Sequence, residues 1–200
     1  MNVTMKKMWG SLVFAMLAAG AVPVSGAEEV ICDFRKGALE LVSMSRPNTD
    51  RLFLVAPGEK NAPGVGWKAA PPSLEVVWNA DPVRRIPAFQ EAVFVFEIEI
   101  PAEIKLNVFN FRLLDATNEA FQYRMTFEKP LPPGIHKLAF PVKTTHDNAW
   151  GGNNDKKLDF PVMFYGVALD FPGNAPAGRI LFRQLSLETA AGKAAGGAGQ

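Results

Sequence analysis

The sequence predicts an all-β protein built as a two-sheet antiparallel sandwich, and three observations carry that expectation. Short apolar–polar alternations recur along the chain, turn-forming residues separate them, and no stretch beyond the N-terminal segment sustains a 3.6-residue apolar stripe. The clearest alternation is Ala92–Ile100, where Phe94, Phe96, Ile98 and Ile100 take one face and Glu97 and Glu99 the other. Phe121, Tyr123, Met125 and Phe127 repeat the pattern, with Gln122, Arg124 and Thr126 opposite. Across Leu106–Leu114, Phe109, Phe111 and Leu113 share a face while Val108, Asn110 and Arg112 point away. Further strands are expected at Val30–Phe34, Arg51–Val55, Leu74–Trp78, Ile135–Phe140, Val162–Phe171 and Arg179–Leu187. Asp115-Ala116-Thr117-Asn118, Pro132-Pro133-Gly134 and Pro172-Gly173-Asn174 supply the turns. Strands at short spacing without intervening helices exclude a βαβ arrangement, and 15 phenylalanines need two packed faces to bury them.

Apolar residues make up 48% of the chain and charged residues 20%, an ordinary globular balance. Lys6 and Lys7, the apolar run Leu12–Val22, Pro23 and the small residues Ser25-Gly26-Ala27 have the layout of a cleavable signal peptide over residues 1–27. The run is shorter than the roughly 20 residues a membrane-spanning helix needs, so no membrane insertion is expected after cleavage. Residues 28–188 then form one sandwich domain, and 189–200 is a flexible Ala/Gly tail. A periplasmic or secreted destination follows. Cleavage removes two lysines and no acid, taking the formal net charge from +1 to −1, which excludes nucleic acid as a partner. The lone Cys32 forms no intramolecular disulfide and is expected as a small buried hydrophobe.

Several segments resemble the galactose-binding-like jelly rolls of bacterial carbohydrate-binding modules, often attached to glycoside hydrolases. Leu113-Leu114-Asp115 with Glu119-Ala120-Phe121-Gln122-Tyr123 is similar to their L-x-D-x-x-G-E-x-F hairpin. Pro133-Gly134-Ile135-His136-Lys137-Leu138 resembles a strand start, and Trp150-Gly151-Gly152-Asn153-Asn154-Asp155 a W-G-G-x-N-D-G loop. Gly178-Arg179-Ile180-Leu181-Phe182 with Leu185 and Leu187 resembles the closing strand. The resemblance, over Phe94 to Leu187, implies a jelly roll and a non-catalytic glycan-binding function. It also implies a structural calcium held by acids of the first and last strands. Asp33 remains, but Arg183-Gln184 stands where the last-strand Asp-Asp would be, so no cofactor is expected.

The expected glycan site combines a loop and a sheet face. Trp150 offers a flat ring for stacking, and His146, Asp147, Asn153, Asn154 and Asp155 offer polar groups for hydroxyl pairs, with two glycines allowing close approach. Arg112, Gln122 and Arg124, beside Asn110, line one sheet surface by alternation. The same residues also suit a structural loop and a solvated sheet. Asp147, Asn148, Asn153 and Asp155 are hard oxygen donors, but their spacing is not that of an EF-hand, and turn formation explains them. Trp67 and Trp78, flanking Pro71-Pro72, are expected in the core. Glu97 and Glu99 bring two carboxylates to one face roughly 6.5–7 Å apart, the basis of a rival glycosidase reading. Glu103 follows at the wrong spacing for a catalytic acid, after Pro101 ends the strand. His136 and His146 lie on different elements with no cysteine near, so no zinc site is expected. The remaining alternative is a structural or protein-interaction module of the cell envelope.

Overall fold

A computed structural model describes residues 28–36, 41–43, 52–55, 64–69, 73–78, 85–142, 146–173 and 175–189. The proposed signal peptide 1–27, nearly all of the tail, and the side chain of Trp78 lie outside the described residues. Twelve strands are present among them: β1 (Glu28–Asp33), β2 (Leu41–Ser43), β3 (Leu52–Val55), β4 (Gly64–Ala69), β5 (Ser73–Trp78), β6 (Ala92–Ile100), β7 (Val108–Leu114), β8 (Glu119–Thr126), β9 (Gly134–Val142), β10 (Asn148–Gly151), β11 (Met163–Asp170) and β12 (Pro176–Thr189). One 3-10 turn, Phe34–Lys36, follows β1.

The strands form two antiparallel six-stranded sheets. Sheet A runs β3-β4-β12-β6-β9, with β1 also paired to β12; sheet B runs β10-β8-β7-β11-β5-β2. Every pairing is antiparallel, and the long β12 takes β4 along its first half and β1 along its second, with β6 on its other edge. Alternation decides what each face does. Phe94, Phe96, Ile98 and Ile100 of β6 are all buried, as are Phe109, Phe111 and Leu113 of β7 and Phe121 and Tyr123 of β8.

A bulge in β12 between Phe182 and Gln184 changes the parity of the strand. Ile180 and Phe182 face the core before it, and Leu185 and Leu187 after it, which leaves Arg183 and Gln184 half-buried between them. In the core, Phe111 of sheet B stacks on Phe140 of sheet A at 5.2 Å, and within the sheets Phe111 stacks on Phe164 at 5.4 Å and Phe96 on Phe182 at 5.5 Å. Each fully buried ring contributes roughly 1.5–3 kcal/mol, so this aromatic layer is the main stabilising feature of the sandwich.

All nine predicted strands are present, with ends moved by no more than three residues, and three strands were not expected. β2 spans only Leu41–Ser43 and is too short to show a period. β4 contains Gly64 and Gly66, which argue locally against a strand. The close approach of β12 explains the first, because a Cβ at Gly64 would run into the Ile180 carbonyl. Trp67 of β4 is 1% exposed, packs 4.5 Å from Phe171, and donates its Nε1–H to the Pro176 carbonyl at 2.9 Å. β10 takes up part of what the sequence presents as a loop.

Cys32 is half-buried against the core, where burial and the nearby Asp33 push its thiol up to about 12. No helix among the described residues is long and apolar enough to cross a membrane.

Candidate functional site

The outer face of sheet B brings the two halves of the expected site together. β10 pairs with β8 so that Trp150 lies opposite Ala120 and Asn148 opposite Gln122. β8 pairs with β7 so that Gln122 lies opposite Arg112 and Arg124 opposite Asn110. The indole of Trp150 therefore sits over the sheet, with the Arg112 guanidinium carbon 4.9 Å from its ring centroid. Arg112 is fixed from two other sides: its Nε–H donates to Gln122 Oε1 at 2.9 Å, and Nη2 donates to Glu75 Oε1 at 3.0 Å. A cation held against an indole face adds about 0.5–2 kcal/mol, the larger value when desolvated. Trp150 is nonetheless 37% exposed, and the other aromatics among the described residues are half-buried or buried.

Next along β7 is Asn110, only 2% exposed, whose amide reaches Asp170 at 3.4 Å while its Oδ1 has no hydrogen-bond partner. The face is thus a rigid polar floor with one open aromatic at its edge. It differs from a plain solvated sheet surface, because Asn110, Arg112 and Gln122 are all at or below 9% exposure. Arg124, farther along β8, is exposed.

The loop residues have other partners. Asp147 Oδ2 accepts from the Arg124 backbone N–H at 2.7 Å, and its own N–H donates to the Gln122 carbonyl at 2.9 Å, tying the start of the loop to β8. His146 packs edge-on against Phe121 at 5.0 Å, on the core side of β8 and away from the Trp150 face. Asn153 donates to Asp159 at 3.3 Å and accepts from the Asp155 N–H, while Asp155 Oδ1 accepts from the Lys157 N–H at 2.9 Å. Asn154 adopts φ 57°, the left-handed conformation asparagine tolerates well. The loop's Asn and Asp side chains build its turns, and Trp150 is the predicted loop residue whose side chain meets Arg112.

The β7–β8 turn underlies this arrangement. Asp115, 1% exposed, accepts from Thr117 N–H, Thr117 Oγ1–H, Glu119 N–H and Asp159 N–H at 2.8–3.2 Å. Glu119 is fully buried beneath the loop, and Gly152, at φ 48°, lies so close that a Cβ would come within 2.5 Å of the Glu119 nitrogen. The Gly151-Gly152 pair is thereby required by the approach of the loop to the hairpin.

On the opposite side of the sandwich, Glu97 and Glu99 share one partner. Arg183, the bulge residue of β12, donates Nε–H to Glu97 Oε1 at 2.8 Å and Nη1–H to Glu99 Oε2 at 2.7 Å. Asp33 accepts from Arg35 Nε at 2.7 Å and Nη2 at 3.0 Å, and Arg35 also reaches Gln184 Oε1 at 3.3 Å. The Arg35 hydrogen bonds hold the Asp33 carboxyl below the usual carboxylate range, and the two glutamates hold the Arg183 guanidinium up.

A calcium needs six to eight oxygen ligands, and these acids already face guanidinium groups, so the residues present do not fit the calcium that the resemblance implies. No group of three or more potential metal ligands is assembled among the described residues. The expected result is that a chelator leaves the melting temperature unchanged. Arg183→Ala should lower stability by about 1–2 kcal/mol, since two half-exposed carboxylates lose their shared cation. Urea denaturation checks the second point, and an unchanged midpoint in Arg183→Ala would refute it.

Comparisons with known proteins bear on the fold. No family model matches the chain, and no curated protein matches it by sequence. Among solved structures, that of CtCBM11 superposes with a TM-score of 0.53 at 13% identity, over 85% of this chain and 99% of that chain. A family 11 carbohydrate-binding module from Clostridium thermocellum, in complex with a β-1,3-1,4-mixed-linked tetrasaccharide, gives 0.53 at 13% identity over 82% of this chain and 96% of its own. The chain has the jelly-roll fold of these modules. An exo-β-agarase matches with a TM-score of 0.51 at 7% identity, over 82% of this chain and 25% of that chain.

Two contributors to the sheet B face are absent from the sequence-predicted site. Glu75 of β5 is visible only as the outward residue between the buried Leu74 and Val76, and Asp170 as the end of a strand. Nothing local says that either lies near Arg112 or Asn110.

Proposed function

We propose that this chain is an exported, non-catalytic carbohydrate-binding module that takes a glycan on the outer face of sheet B. The observation that carries the reading is the half-exposed Trp150 ring, backed by Arg112 and set beside a floor of buried polar groups. Sugar rings present an apolar C–H face and a rim of hydroxyls. A fixed aromatic meets the first, and Gln122, Asn110 and Asp170 meet the second. The unpartnered Asn110 Oδ1 supports a ligand there, since a buried acceptor left alone costs about 1–3 kcal/mol. Arg112 pairs with Glu75 on this face, and Arg124 and Asp170 add one charge of each sign, so a neutral glycan suits it better than an acidic one.

Weak binding is expected, because a glycan lying on a sheet face buries little area. The pairing of both Glu97 and Glu99 to Arg183 supports a non-catalytic role, since one shared cation accounts for the two carboxylates as a structural ion-pair group. We propose that binding needs no cofactor.

A glycan-array screen of the full chain beside Trp150→Ala tests the reading. Binding that falls at least roughly tenfold in a variant still folded by circular dichroism is the expected result. Silence of the wild-type chain across a broad neutral array would refute the proposal and favour a protein partner.

A further inference from the structure

A second site lies at the open edge of the sandwich, on the other side of β8. β10 pairs only with Glu119–Gln122, so the remainder of β8 has no outer strand neighbour among the described residues. β9 is likewise the edge of sheet A. Where these edges part, a cavity of about 260 Å³ opens between the sheets, lined by Tyr123 and Arg124 of β8, Phe140 and Pro141 of β9, and His146 and Asp147. Tyr123 is 5% exposed, and its hydroxyl is buried with no hydrogen-bond partner. Asp147 uses Oδ2 on the Arg124 N–H, which leaves Oδ1 unengaged.

We propose that this cavity binds a neutral, hydroxyl-rich molecule the size of one sugar ring, held by Tyr123, Asp147 and His146. Three observations specify that guest. The volume equals that of roughly nine waters, below the usual range for drug-sized pockets and suited to one small ring. Arg124 borders the space through its backbone N–H while its side chain takes the opposite face of β8 from Tyr123, so the Asp147 carboxylate is the charge beside the phenol and an anionic guest is disfavoured.

The polar groups also form a matched set. A phenol donor and a carboxylate acceptor stand side by side without bonding to each other, which suits two adjacent hydroxyls, one accepting from Tyr123 and one donating to Asp147. Burial and the Asp147 charge push the Tyr123 phenol upward, so it remains protonated and a donor at physiological pH. Phe140 and Pro141 supply the apolar side of the cavity.

The cavity is separate from the Trp150 face. Gln122 and Tyr123 are neighbours in the chain but point to opposite faces of β8, so a ring in the cavity does not share the Trp150 platform. The choice of a sugar ring rests on the glycan reading; the existence of the site does not.

The test is a titration of the ¹⁵N-labelled full chain with D-glucose, D-galactose, D-xylose and glycerol, followed by amide chemical shifts. At least one of the sugars is expected to give saturable shifts at Tyr123, Ala139, Phe140, His146 and Asp147. The affinity should fall roughly five- to tenfold in Tyr123→Phe, which removes only the hydroxyl. Asp147→Asn should weaken binding similarly while keeping an oxygen to cap the Arg124 N–H. Trp150→Ala should leave these shifts intact.

The proposal is overturned if none of the probes moves these amides, or if Tyr123→Phe and Asp147→Asn, both folded by circular dichroism, bind as the wild-type chain does. The two readings fail separately. Array binding lost in Trp150→Ala without monosaccharide shifts removes the edge site alone, and edge shifts without array binding remove the sheet B platform alone.

Discussion

Arg112→Ala is expected to abolish glycan binding on the array and to lower stability by about 2 kcal/mol. The side chain is 8% exposed and makes three contacts at once: a hydrogen bond to Gln122, an ion pair with Glu75, and the cation beneath Trp150. Truncation strands the Gln122 oxygen in a buried position and removes the support that keeps the indole flat on the sheet. The full penalty for breaking a buried ion pair does not apply, because the Glu75 side chain is 43% exposed and regains water. Arg112→Lys restores charge but not the planar fork that serves Gln122 and Glu75 together, so it should recover less than half of the lost stability and little binding. Urea denaturation and the array, run on both variants, separate the two effects. Wild-type binding by Arg112→Ala would show that the Trp150–Arg112 stack is not the glycan platform.

Asp115→Ala is expected to be the most destabilising single change outside the aromatic core, at about 3–4 kcal/mol. Four donors converge on this one buried carboxylate, and two belong to the β7–β8 turn itself. Alanine leaves all four without an acceptor, at roughly 1 kcal/mol each after relaxation. For a domain of this size, the melting temperature should fall by roughly 6–15 °C. Asp115→Asn keeps an oxygen for Thr117 and Glu119 but presents an amide to the Asp159 N–H, so about half the loss should remain. The Asp159 link also joins the hairpin to the segment after the Trp150 loop. Glycan affinity should therefore weaken in Asp115→Ala although Asp115 is buried beneath the turn. Scanning calorimetry with a parallel binding assay checks both, and an unchanged melting temperature would refute the account.

The fold class was legible because alternation is a local property. Phe94, Phe96 and Ile98 announce a buried face whatever lies opposite, and so do Phe109, Phe111 and Leu113. β4 was hidden for the opposite reason: Gly64 is explained only by its closeness to Ile180, a residue far along the chain. The site was legible as residue types and faces. Trp150 was evident as a ligand candidate, and Arg112 and Gln122 as outward residues of neighbouring strands. Glu97 and Glu99 were evident as a pair, but the β12 bulge that aims Arg183 at both was not.

The sequence by itself determined the period of the nine strands read from it, the core and outer faces of the clearest of them and the turns between them, because backbone sterics and amphipathicity act over a few residues. Only the tertiary structure decided the neighbours. It set β10 beside β8, which puts Trp150 over Arg112, and it sent His146 to the core side of β8. It turned Asn153 and Asp155 from candidate ligand groups into turn formers, and left Tyr123 with an unpartnered hydroxyl at the sandwich edge. The physical reason is that strand order and register arise from packing two whole faces together. That free energy is spread across the aromatic core and is written in no single segment of the chain.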